Sequence, residues 1–164
     1  MNDFHRDLEY SLELNENNAF DNFYKQSFPA LVRIENVTDI ELQKKGIDKI
    51  LHLSNGKQLL VDEKKRRKDY GDILLEEYTD FDKKKVGWLG RHKHTDYIVY
   101  AVFPSKVYLL PFVLLQRAWL HNYHTWLDEY GRKFAQNKYY RTSNIPIPKD
   151  TLLLAIRNEM DNTI

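Results

Sequence analysis

Asp48, Asp62, Glu63, Lys64 and Lys65 are the residues whose types and spacing suit chemistry. An acid stands in Gly46-Ile47-Asp48, and one hairpin later the chain reads Val61-Asp62-Glu63-Lys64-Lys65. Residues i and i+2 of a strand share a face, so Asp62 projects with Lys64, and Glu63 with Lys65. Two carboxylates a few ångströms apart repel unless a cation lies between them. Mg²⁺ is a hard ion that keeps several waters, so one or two carboxylates plus a phosphate oxygen suit it. A metal so held polarises a phosphate and acidifies a bound water. A neighbouring lysine positions that water or stabilises developing charge.

The element that must position these groups is the hairpin between them. Ile47–Leu53 reads as a strand, Ser54-Asn55-Gly56 as a turn, and Gln58–Lys65 as the return strand. A two-residue loop at Asn55-Gly56 sets Asp48 opposite Glu63. A three-residue loop with Gly56 left-handed pairs Leu53 with Lys57 and sets Asp48 opposite Asp62. Glycine in the third loop position favours the second geometry, and a slip of one residue moves the site to the other face. Asp48, Asp62 and Lys64 are the favoured set, with Glu63 and Lys65 as the other register. Lys65, Arg66, Arg67 and Lys68 leave the return strand directly and suit backbone phosphates, although a basic run is equally a solvated turn.

Further elements follow from periodicity. Phe20, Phe23, Tyr24 and Phe28 fall at helical spacing, and Pro29 ends that helix. Ile73–Thr79, Asp96–Phe103 and Val107–Leu110 read as strands, with a turn at Pro104-Ser105. Phe112, Leu115, Trp119, Tyr123, Trp126, Tyr130 and Phe134 form one stripe of a long amphipathic helix over 111–135. A last helix starts at Pro148-Lys149-Asp150-Thr151, with Leu152, Leu153 and Ile156 facing in. Tyr139-Tyr140-Arg141 reads as a tail anchor. The expected architecture is α+β (mixed α/β), with a central sheet of about five strands over 41–110 and flanking helices.

The chain has 164 residues, which suits one compact domain. Its formal charge is +1, with an acidic leader over 1–17 and basic clusters in mid-chain, which permits a polyanion partner. It has no cysteine, so disulfides, thiolate metal sites and a cysteine nucleophile are excluded. No signal peptide is visible and no apolar run reaches membrane-spanning length, so a cytoplasmic protein is expected. No P-loop, GxGxxG or GxSxG occurs. His92 with His94, and His121 with His124, lack a third partner at zinc-ligand spacing. Trp88, after Gly87, is expected to cover a core edge.

Gly46-Ile47-Asp48, Asn55-Gly56-Lys57 and Asp62-Glu63-Lys64 together resemble the PD-(D/E)XK nuclease superfamily, in its small phage and mobile-element form. The resemblance spans about 41–103. Ile47 stands where that family has proline, and Glu63 where an apolar residue is commoner. The resemblance implies a restriction-endonuclease-like core and a Mg²⁺-dependent, or Mn²⁺-dependent, nuclease acting on DNA before RNA. It implies metal ligands at Asp48 and Asp62, with Glu63 as a third candidate, and Lys64 as the catalytic lysine. Glu41 and Glu76 are candidate outer ligands. A homodimer is expected from symmetry, because two strands need two sites. The rival reading is a catalytically inactive nuclease fold that binds nucleic acid or a host protein.

Overall fold

A computed structural model describes residues 19–91, 94–102 and 106–162. The acidic leader, His92 and the Pro104-Ser105 turn lie outside the described residues. In chain order the elements are α1 (Ala19–Ser27), β1 (Leu31–Asn36), α2 (Ile40–Lys44), β2 (Lys49–Leu53), β3 (Gln58–Arg66), β4 (Asp72–Asp80), β5 (Lys85–Val86), β6 (Tyr97–Val102), β7 (Lys106–Pro111), α3 (Phe112–Tyr130), β8 (Lys133–Gln136), β9 (Arg141–Pro148) and α4 (Lys149–Asp161). The fold is mixed α+β, with a five-stranded sheet and four helices among the described residues. The described residues group into two compact units. One holds the residues up to Lys68 with Tyr97–Leu109; the other holds Asp69–Asp96 and the residues from Leu110 onward.

The first unit is built on the sheet β1-β2-β3-β6-β7. Its hairpin has the three-residue loop. The Leu53 N–H donates to Lys57 O at 2.9 Å, the Gly56 N–H donates to Leu53 O at 3.0 Å, and Ile50 faces Leu60. Gly56 has φ +81°, which an L side chain rarely adopts, so the glycine sets the register. Strand β3 pairs antiparallel with β2 and parallel with β6, with Asp62 beside Ile98 and Lys64 beside Tyr100. A parallel pair needs a long crossover, and Asp69–Asp96 supplies it. One face of the sheet carries Leu51, Val61, Val99 and Ala101, which pack with Phe20 and Tyr24 of α1 into a buried cluster. This is the apolar stripe that made α1 legible as a helix.

The second unit holds the sheet β5-β4-β9-β8 with α3 and α4. The expected central sheet over 41–110 is corrected here. Strand β4, read from Ile73–Thr79, joins β9 with Ile73 opposite Ile147 and Leu75 opposite Ile145. All four of these side chains are fully buried, so the pairing partner of β4 lies far downstream rather than in the preceding hairpin. Helix α3 also ends sooner than its stripe suggests. Gly131 takes φ +67° and its N–H closes on Leu127 O at 3.0 Å, so Phe134 falls on β8. Tyr140 lies in the β8–β9 turn and Arg141 begins β9, so the segment read as a tail anchor is part of a hairpin. In α4, Leu152 and Ile156 are buried while Leu153 is exposed. Trp88 is buried, and Gly87 is tied down: a Cβ there would meet Glu76 O at 2.3 Å.

Candidate functional site

Asp48 is delivered by a short, capped unit. Asp39 caps α2 by accepting from the Glu41 and Leu42 N–H groups at 2.7 and 3.2 Å. Gly46 then turns the chain with φ +77°. The Asp48 N–H donates to Val61 O at 2.8 Å, and its carbonyl accepts from Val37 N at 2.9 Å. The main chain is therefore fixed on both sides before the side chain does anything.

Asp48 Oδ2 accepts the Glu63 backbone N–H at 2.7 Å. Asp62 is 2% exposed, and Lys64 Nζ donates to its Oδ1 at 2.7 Å. Burial pushes the Asp48 carboxyl above the usual carboxylate range. The Glu63 N–H opposes that, and the neighbouring Asp62 carboxylate adds to it. Asp48, Asp62 and Lys64 thus form one cluster, on hard oxygen donors and one ammonium.

Glu63 does not share that face. Its Oε1 accepts from Tyr24 Oη at 2.8 Å and pairs with Lys49 Nζ at 3.1 Å. Lys49 also pairs with Asp21 at 2.8 Å. Burial lowers the Lys49 ammonium, but Asp21 and Glu63 outweigh it and hold it above its usual value. Burial, then Glu63, push the Tyr24 hydroxyl far above the tyrosine range. The Glu63 side chain is therefore removed from the candidate metal ligands by strand alternation, and the cluster on the Asp48 face is Asp62 with Lys64.

The basic run divides the same way. Lys65 lies on the Glu63 side, with Nζ 5.6 Å from the Phe20 ring centre. Arg66 follows Asp62 and Lys64 on their face and is buried, so it is not a surface phosphate grip. Arg67 and Lys68 are exposed. Glu41 is exposed and paired with Lys44 at 2.8 Å. Glu76 belongs to the second unit, where its Oε1 accepts from Thr79 Oγ1 at 2.9 Å and from the Trp88 N–H at 3.2 Å. Among the described residues, no group of three or more acidic or histidine side chains is gathered as a metal cluster.

A second polar centre escaped the sequence reading. In the second unit, Glu77 is buried and accepts both Arg132 Nε and Nη2 at 2.7 Å, Ser143 Oγ at 3.0 Å, and the Tyr123 hydroxyl. Burial works to raise its carboxyl, but these donors win and hold it below the usual range. The signal was present: Ile73, Leu75 and Glu77 alternate on one face of β4, which puts an acid where a core residue belongs. His121 Nδ1 meets Glu159 Oε1 at 2.5 Å, so that histidine has a structural partner.

No family model, curated protein or solved structure matches the chain.

Proposed function

We propose that the chain is a Mg²⁺-dependent nuclease of PD-(D/E)XK type that hydrolyses phosphodiester bonds in DNA. A restriction-endonuclease-like core, cytoplasmic action and a homodimer belong to the same proposal. The observation that supports it is the meeting of Asp48, Asp62 and Lys64 on one face of the hairpin. The donor set suits a hard divalent ion. Two adjacent carboxylates, one of them held above its usual range by burial and by its neighbour, are relieved by a cation between them.

In this reading Asp48 and Asp62 hold Mg²⁺ or Mn²⁺. When bound, the ion supplies charge neutralisation at the phosphate and acidifies a water. The Glu63 N–H fixes the Asp48 carboxylate, so that ligand is aimed before any ion arrives. Lys64 directs its ammonium to the same place and steadies charge on the phosphate oxygens. Water's oxygen forms the new bond to phosphorus, and the bond to the leaving ester oxygen breaks. Arg67 and Lys68, exposed beyond β3, take backbone phosphates.

A second reading has one observation in its favour. Lys64 already sits on Asp62 at 2.7 Å, an ion pair that a structural site would also use. That reading is a nuclease-like fold without catalysis. Supercoiled plasmid incubated with Mg²⁺ or Mn²⁺, beside an EDTA control and Asp62→Ala, separates the two. Nicking by the wild type alone supports the nuclease. A plasmid left intact by protein whose melting point does not move with Mg²⁺ sinks it and leaves the second reading.

A further inference from the structure

In the second unit three cations converge on one ring. Lys84 Nζ lies 5.5 Å from the Phe81 ring centre, and the Arg132 and Arg141 guanidinium carbons each lie 5.3 Å from it. Arg141 also lies 5.0 Å over Phe134, and the two phenyl rings meet edge to face at 5.0 Å. Tyr78 continues the row, 5.9 Å from Phe81. Gathering like charges this closely is costly unless anions answer them. Glu77 answers Arg132, and the exposed Asp82 answers Arg141 at 2.6 Å. Lys84 has ring faces and no ion pair with a carboxylate among the described residues.

Tyr78 and Glu77 also border a cleft of about 290 Å³, whose wall includes Trp119, Tyr123 and His124. Trp119 and Tyr123 lie 5.1 Å apart, and Tyr123 and His124 the same distance. This is near the lower end of small-molecule sites, at roughly 300 Å³, and the Glu77 carboxylate in its lining is already bonded to Arg132 and Ser143. An anionic ligand with flat aromatic parts fits such a surface: rings for its faces, cations for its charge. Phe134 remains 46% exposed despite Phe81 and Arg141 beside it, so part of the residue is open to a ligand.

We propose that this face of the second unit binds single-stranded nucleic acid, with unpaired bases stacking on Phe134 and entering the Tyr123 cleft while Lys84 and Arg141 take backbone phosphates. Single strands are favoured because only an unpaired base offers both faces to a ring. The surface uses no residue of the Asp48 cluster, so the two proposals fail separately. Asp82 is the group that must release Arg141 as the phosphate arrives.

The test is fluorescence anisotropy on the full Asp62→Asn chain in EDTA, so that no cleavage enters. The probes are labelled oligo-dT and oligo-U of about 15 nucleotides, a duplex of equal length, and inorganic polyphosphate. Oligo-dT and oligo-U share the stacking and phosphate chemistry, so binding to either that depends on Phe134 supports the proposal. Phe134→Ala is expected to weaken single-strand binding about tenfold. Lys84→Gln is expected to lower the salt slope of log K by about 0.7, one phosphate contact on a single strand. Asp82→Asn is expected to tighten binding. Phe134, Asp82 and Lys84 are each exposed, and Lys84→Gln gives a second readout should Phe134→Ala fold poorly. No binding by either oligonucleotide, duplex binding that Phe134→Ala weakens as much as single-strand binding, polyphosphate binding that Phe134→Ala weakens equally, or Phe134→Ala and Lys84→Gln both indistinguishable from the parent overturns the proposal.

Discussion

The Asp48 carboxylate is held by the main chain of Glu63: Oδ2 accepts the Glu63 N–H at 2.7 Å. The same residue's side chain turns to the other face, to Tyr24 and Lys49. Glu63 thus touches the candidate site through its backbone and the α1 packing through its carboxylate. The alternation of β3 gives the two faces of one strand two different jobs.

Asp48→Asn follows directly. Burial and the Asp62 carboxylate both act against the charge on Asp48, so removing that charge relieves the folded state. The expected outcome is a higher melting temperature than wild type in EDTA at neutral pH. Added Mg²⁺ then stabilises the wild type and leaves the variant unmoved. A variant that still gains stability from Mg²⁺ shows that the ion binds elsewhere.

Lys64→Met tests the other half of the cluster. Asp62 is buried and loses a charged donor at 2.7 Å. The expected cost is about 1–3 kcal/mol, measured by urea unfolding, with plasmid nicking lost as well. Unchanged nicking in a chain that is clearly less stable would make Lys64 structural.

Tyr24→Phe is the control on the back face. It removes one hydrogen bond to Glu63 and keeps the ring in the core, at an expected cost of about 1 kcal/mol. Mg²⁺ should stabilise this variant as it does the wild type. Loss of the Mg²⁺ effect would mean that the α1 packing holds Asp48 in place through Glu63.

The hairpin was legible because its determinants are local. Gly56 fixes the loop, the loop fixes the register, and alternation then sends Asp62 and Lys64 to one face. The α1 stripe and the start of α4 were legible for the same reason. The β3–β6 pairing was not, because a parallel neighbour is chosen by contacts remote in sequence. Strand β9 was hidden by Pro146 and Pro148, residues that argue against a strand, although Ser143, Ile145 and Ile147 alternate inward beside them. Strand β8 is exposed throughout and carries no burial pattern to read. Arg66 was misplaced because a run of five basic residues hides the period of two that buries its third member.

The Glu77 centre predicts how stability changes with pH. Arg132, Tyr123 and Ser143 outweigh burial, so the folded carboxyl ionises below its unfolded value. Between those two values the unfolded chain binds more protons, so the contribution is complete above the unfolded value, near 4.3. It is lost as pH falls through the folded one. Tyr123 works in the opposite direction. Burial and Glu77 push its hydroxyl up to about 12. Its contribution is present below the ordinary tyrosine value, near 10, and is lost as pH rises toward the folded one. Urea unfolding across pH should therefore show an acid limb that flattens in Glu77→Gln. The alkaline limb should flatten in Tyr123→Phe, which keeps the ring and removes the titrating proton. Glu77→Gln is also expected to lower stability at neutral pH, because the Arg132 guanidinium loses the charge it spans. Wild-type and variant curves that run parallel through both limbs would show that other groups govern both transitions.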